Sequence, residues 1–210
     1  PEVRVQALTD GAQLAVRLAW DDPSQDDLPG AARFCDACAV QVPQAVEASV
    51  PNPQMGESGR PVEITHWRAS WQAEVNGRGT SIQEYYPNAQ VDHYPFTAAP
   101  LEASPELQRE AEIRFSPARA SGNTVSSPRT SAVEDLIATG PGSITAAGAT
   151  VSRGAGRRTP AGWEVVLTRP LPQGLAAGGE SVIAFAIWQG ADQEAGSRKM
   201  RSAWVPLRLE

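Results

Sequence analysis

Two cysteines, two methionines, two histidines and a single lysine are the side chains of this chain best suited to ligation or electron exchange. Cys35-Asp-Ala-Cys38 has the spacing of thiol–disulfide and metal motifs. A redox pair of this kind opens a helix after a strand, whereas Ala39-Val-Gln-Val42 reads as a strand. A zinc site needs about four ligands, and no second cysteine pair exists. Covalent haem attachment needs a histidine directly after the second cysteine, and Ala39 stands there. The pair therefore reads as two buried small residues or a local disulfide. Met55 lies in the Pro/Gly loop Pro51-Asn-Pro-Gln-Met-Gly-Glu57, although methionine more often fills gaps in a core. Lys199 lies in Gly196-Ser-Arg-Lys-Met-Arg-Ser-Ala-Trp204 and is the one lysine among 18 basic residues. A lysine in such a loop is ordinarily a solvated surface residue, and taken alone neither side chain demands a ligand role.

Other chemistries find less support. Two histidines permit a Ser/His/Asp site, but no Gly-x-Ser-x-Gly elbow is present. Neither a P-loop nor a dinucleotide fingerprint occurs, and the carboxylates are scattered. The net charge of −6 and pI near 5.0 argue against nucleic acid and anionic membrane as partners. No apolar run approaches the ~18 residues of a membrane span. A hydrophobic share of 41% against 20% charged residues is that of a globular chain, and the length suits one larger all-β domain. The chain opens at Pro1 without an initiator methionine, which a removed export signal or a trimmed start would explain, and we expect the former.

The elements that must position these residues are mostly short strands. Val3–Leu8 and Ala12–Trp20 flank the turn Thr9-Asp10-Gly11 and predict a hairpin. Ala37–Val42 predicts a strand ended by Pro43. Val62–Trp71 alternates, with Ile64, His66, Arg68 and Ser70 on one face and Thr65, Trp67, Ala69 and Trp71 on the other. Asn76–Pro105 reads as a structured loop, and Ile113–Ala120 as a strand and turn. Ser131–Ala138 is the best short-helix candidate, with Ser131 and Glu134 as a capping box. Ser143–Val151, Gly162–Thr168, Ser181–Trp188 and Ala203–Leu209 read as further strands. The sum predicts an antiparallel β-sandwich of about ten short strands with a minor helix, a single domain over 1–210.

Several segments in order resemble the haem-b γ subunits of the type II dimethyl sulfoxide reductase family. That group includes ethylbenzene dehydrogenase, dimethyl sulfide dehydrogenase, chlorate reductase and selenate reductase. The resemblance runs through Phe34–Pro43, Met55-Gly56 with Pro61–Ala69, Arg119–Asn123, Val133–Gly140, Gly162–Val166, Val182–Gly190 and Gly196–Trp204. It implies one noncovalent haem b with Met55 and Lys199 as its two axial iron ligands. Met200 occupies a position the family does not use for iron, and the Cys35/Cys38 pair departs from the family pattern.

The implied chain is not a catalyst but a periplasmic electron-transfer subunit. Its implied partners are a molybdenum α subunit, an iron–sulfur β subunit and a soluble carrier of the cytochrome c type. Trp67, Trp71, Phe185 and Trp204 are candidates to line the slot, and Arg68 or His66 to meet a propionate. Two rival readings use the same fold. One is a haem-free carbohydrate- or ligand-binding module. The other is a stand-alone haem enzyme or sensor, which needs an open iron position.

Overall fold

In the computed structural model, residues 2–79, 82–89, 104–107, 109–110 and 129–210 are described. They fall into two compact units, Pro1–Asn76 with Ser131–Glu210, and Gly77–Thr130. In the second unit the described structure includes a helical turn at Ile82–Tyr85 and Arg78 set over the Tyr85 ring. The expected strand at Ile113–Ala120 lies outside the described residues.

The first unit is an antiparallel sandwich. One sheet has the order β1-β2-β8-β7, built from β1 (Val3–Thr9), β2 (Gln13–Asp21), β7 (Arg153–Arg158) and β8 (Gly162–Pro170). The other has the order β10-β9-β3-β4-β5-β6. It contains β3 (Ala37–Pro43), β4 (Val62–Arg68), β5 (Val133–Ala138), β6 (Thr145–Ala146), β9 (Glu180–Trp188) and β10 (Met200–Arg201). The last strand, β11 (Val205–Arg208), also pairs with β9. The predicted hairpin forms, and Asp10 closes its turn by accepting from the amides of Ala12 and Gln13.

Alternation decides what lies between the sheets. Leu14, Val16, Leu18 and Trp20 of β2 and Trp163, Val165 and Leu167 of β8 face Cys38, Val40 and Val42 of β3, Trp67 of β4, Val133 of β5, and Ile183 and Ile187 of β9. Trp67 is fully buried at the centre. Its ring stands edge-on to Trp20 and Trp163, and its Nε1 donates to Gln72 at 3.1 Å.

Three sequence expectations give way. Ser131–Ala138 is not a helix. Its Val133–Ala138 part pairs with β4 over Trp67↔Val133 to Val62↔Ala138 and buries Val133 and Ala138, so sheet pairing overrides a weak local helical pattern. Strand β4 ends at Arg68, and helix α1 (Ala69–Val75) follows. Trp71 is thereby carried onto the side of His66 and Arg68 instead of the side of Trp67. Ser143–Val151 shrinks to the two residues of β6.

Strand β7 gave no hydrophobic signal because the positions on its inward face are Gly154, Gly156 and Arg158. A Cβ on Gly154 would overlap Val133, and one on Gly156 would overlap the Trp67 ring. Glycine here makes room for the core tryptophan. Gly156→Ala should therefore cost about 1–3 kcal/mol by overpacking, read as a lowered midpoint in chemical denaturation. An unchanged midpoint would contradict this packing account.

Candidate functional site

The outer face of the larger sheet, turned away from the sandwich core, gathers most of the nominated residues. Its floor follows from register. Across β4, β3 and β9 the rows read Arg68–Ala37–Trp188, His66–Ala39–Ala186 and Ile64–Gln41–Ala184. The two central strands thus present Ala37, Ala39, Ala184 and Ala186, a strip with nothing beyond Cβ. Taller apolar groups surround it. Val62, Ile64 and Ala138 are buried in one cluster with Ala39 and Ala186, and Met55, Leu136, Trp188 and Trp204 pack against it.

Met55 arrives on a tightly tied loop. Its backbone has φ 73°, a left-handed conformation uncommon for a side-chain-bearing residue. Its carbonyl accepts from the Gly140 amide at 2.8 Å, just past β5. Gly56 follows at φ 74°, with Ala138, Arg60 and Val62 backbone atoms where a Cβ would go. Gln41, 9% exposed in the floor, donates to the Pro53 carbonyl at 3.2 Å. Backbone strain held by several independent tethers is what a functional loop shows when its side chain must be aimed.

Lys199 comes from the opposite side, one residue before the pair Met200↔Ile187. It is partly buried, with Nζ 5.2 Å from the centroid of Trp188 and donating to the Gly196 carbonyl at 3.1 Å. Burial, with the positive charge of Arg201 adding to it, lowers its pKa below the usual lysine value. His66 sits between the rings of Trp71 and Trp188, at 5.3 and 5.2 Å. Arg68 lies over Trp71 at 5.4 Å.

Met55, Lys199, His66, Arg68, Trp71 and Trp204 therefore belong to one face and its rims. Trp67 and Phe185 do not, because they occupy inward positions and pack in the inter-sheet core. Trp188, Gln41 and Arg201 were missed. Counting by twos along β9 from Phe185 would have put Trp188 on the side opposite that phenylalanine.

The cysteines form no reactive centre. Both are free and buried, and burial raises both thiol pKa values, so neither is a ready thiolate. Among the described residues no group of three or more His, Cys, Asp or Glu can hold a metal ion. Nor is any helix there long and apolar enough to cross a membrane.

One buried carboxylate anchors the start of the Lys199 segment. Asp36 is 0% exposed and accepts from Gly190 N at 2.9 Å, Trp163 Nε1 at 2.9 Å and Asp26 N at 2.8 Å. It ties the turn after β9 to the opposite sheet and to the 22–26 loop.

The family is decided by a match along nearly the whole chain, which aligns with the ethylbenzene dehydrogenase family over residues 1–200. The chain belongs to that family. The resemblance to the γ subunits of the type II dimethyl sulfoxide reductase group is thereby upheld. Over 85 residues the chain is also 38% identical to a Haloferax mediterranei protein provisionally named a respiratory nitrate reductase heme subunit. That match takes in 39% of this chain and 30% of the relative.

The Asp36 anchor carries a pH signature. Burial raises its pKa from 3.8 to about 6, helped by the nearby charge of Asp22 and opposed by its three hydrogen bonds. The folded chain therefore holds a proton that the unfolded chain has released between about pH 4 and 6. Stability from this group is greatest at the acid end of that window and falls as pH rises through it, by up to roughly 3 kcal/mol. In Asp36→Asn the amide must lose at least one accepted bond. Urea titrations should show it destabilised by about 1–3 kcal/mol and lacking that slope. A slope equal to wild type would show that Asp36 does not titrate there.

Proposed function

We propose that this chain is an electron-transfer subunit holding one noncovalent haem b, with Met55 and Lys199 as axial ligands to its iron. The observation that supports this most directly is the arrival of both side chains, on separate tethered segments, at one alanine-floored face. The donor chemistry fits the group. A soft thioether and an amine with lowered pKa are available, the sheet face they flank carries alanines with no bulk beyond Cβ, and the aromatic rings of Trp188 and Trp204 pack beside it. Membership in the ethylbenzene dehydrogenase family supports the same reading, as does likeness to a protein named as a heme subunit.

Such a group would supply one-electron exchange, and Met55 and Lys199 together would hold it without leaving a position open for substrate. The thioether of Met55 favours the reduced ion. Lys199 donates only as the neutral amine, and its partial burial beside Trp188 and Arg201 already moves it that way. Arg68, stacked on Trp71, or His66 meets a propionate. Trp204 and Trp188 exclude water at the edges, and Trp67 supports β4 from behind. The whole of 1–210 serves as the haem-binding domain.

Electrons pass between the iron–sulfur β subunit of a periplasmic molybdoenzyme, whose molybdenum α subunit performs the substrate chemistry, and a soluble carrier such as a cytochrome c. This chain is not itself the catalyst.

The test is absorption spectroscopy of the haem-loaded chain, oxidised and dithionite-reduced. Wild type should give sharp low-spin b-type bands, and Lys199→Ala and Met55→Ala should each turn high-spin or lose the haem. Acidification should convert the wild-type spectrum to high-spin, because a proton competes with iron for the Lys199 amine. A colourless protein that takes up no added haem would refute the proposal and favour the haem-free ligand- or carbohydrate-binding module. A spectrum with an open iron position would favour the haem enzyme or sensor.

A further inference from the structure

The segment that carries Lys199 does not end its work there. Met200 and Arg201 pair with Ile187 and Ala186 of β9, and Ser202 continues the contact. The Ser202 amide donates to the Phe185 carbonyl at 2.9 Å, and its Oγ accepts from the Phe185 amide at 3.0 Å. Pairing resumes at Val205↔Ile183. Four residue steps from Arg201 to Val205 are thus set against three on β9, from Ala186 to Ile183. One extra residue stands in the Ser202–Trp204 stretch, which is a β-bulge.

The bulge changes the face. In the register of Met200 and Arg201, position 204 would fall opposite Ile183, which points into the inter-sheet core. In the register of Val205 it falls opposite Ala184, which belongs to the alanine strip. Because side chains alternate with period two, one inserted residue moves Trp204 from the inside of the sandwich to the outside. There it packs against the same cluster as Met55, and its Nε1 donates to the Pro51 carbonyl at 2.7 Å. Pro51 lies one residue before Asn52, whose carbonyl accepts from Gly56 N at 2.9 Å across the Met55 turn.

We infer that Trp204 is a positioning residue, placed by this bulge, that clasps the Lys199 segment to the Met55 loop and makes the two ligand-bearing segments move as one. The inference rests on the proposed haem site for its functional meaning, but the clasp exists in the polypeptide alone. The bond matters because Pro51 and Pro53 have no N–H to tie their own stretch of chain. The loop is held there through carbonyls, by Gln41 from the floor and by Trp204 from the Lys199 side. Loss of the indole donor should let the loop open without disturbing the sandwich.

Trp204→Phe keeps the ring and removes the donor. Hydrogen exchange on the haem-free full-length chain reads the clasp directly. The amides of Gly56, bonded to Asn52 within the Met55 turn, and of Gly140, bonded to the Met55 carbonyl from beyond β5, should exchange about five-fold faster or more, the worth of one ordinary hydrogen bond. The amides of β2 and β8 should keep their wild-type rates. Unchanged rates at Gly56 and Gly140 overturn the inference, and so does acceleration spread evenly over the sandwich.

On the haem-loaded chain the same variant should have a lower midpoint potential, because a loosened thioether favours the reduced iron less. A wild-type potential also overturns the inference. Failure of the wild-type chain to take up haem would refute the functional proposal instead, and the exchange rates would still decide the clasp.

Discussion

The registers that lock β4, β3 and β9 together are the constraint on which the rest depends. They give the central sheet two unlike faces. One carries Cys38, Val40, Val42, Trp67, Phe185 and Ile187 toward the smaller sheet. The other carries Ala37, Ala39, Ala184 and Ala186, in the face against which Met55, Trp188 and Trp204 pack. A slip of one residue in either pairing would drive the alanines inward and the large side chains outward. The core's demand for bulk on one side and the proposed site's bare strip on the other are met by the same alternation.

Polar contacts within the larger sheet and between the two sheets support that register. Arg169 of β8, 3% exposed, meets Glu63 of β4 in an ion pair. Thr65 Oγ1 donates to Asp135 and lies 3.0 Å from Ser152 Oγ. At the far end Asp36 joins Trp163 to Gly190. Such groups cost stability if left unpaired, so they tolerate only the arrangement that satisfies them. Each lies close to a strand or segment that carries the site. The outer face is fixed from behind, and only the Met55 loop and the Lys199 segment must be placed by contacts of their own.

Legibility in the sequence followed the strength of the local signal. β1, β2, β3, β8 and β9 were readable because alternation and turn residues agree there. β7 was not, since Gly154 and Gly156 contribute space instead of hydrophobicity. β5 was misread because its helical pattern is overruled by pairing with β4, which no local window contains. Met55 and Lys199 were nominated through family resemblance, and their separate sequence positions gave no geometric reason to connect them. Trp204 was one of four aromatics offered to line the slot. Its placement depends on a one-residue bulge that only the pairing with β9 reveals. Trp67 looked equally suitable as a slot-lining ring, but its parity on β4 sends it into the core.

The central claim is that Met55 and Lys199 hold one haem, and the two-methionine composition makes one side of it directly observable. The measurement is a carbon-13 methyl spectrum of methionine-labelled protein, titrated with haem and reduced to the diamagnetic ferrous state. Its two methyl resonances report Met55 and Met200, assigned with Met200→Leu. The account predicts saturation at one haem per chain, with the Met55 methyl displaced far upfield by the macrocycle's ring current and Met200 little changed. Two resonances that stay in place, or displacement of Met200 instead, would contradict it.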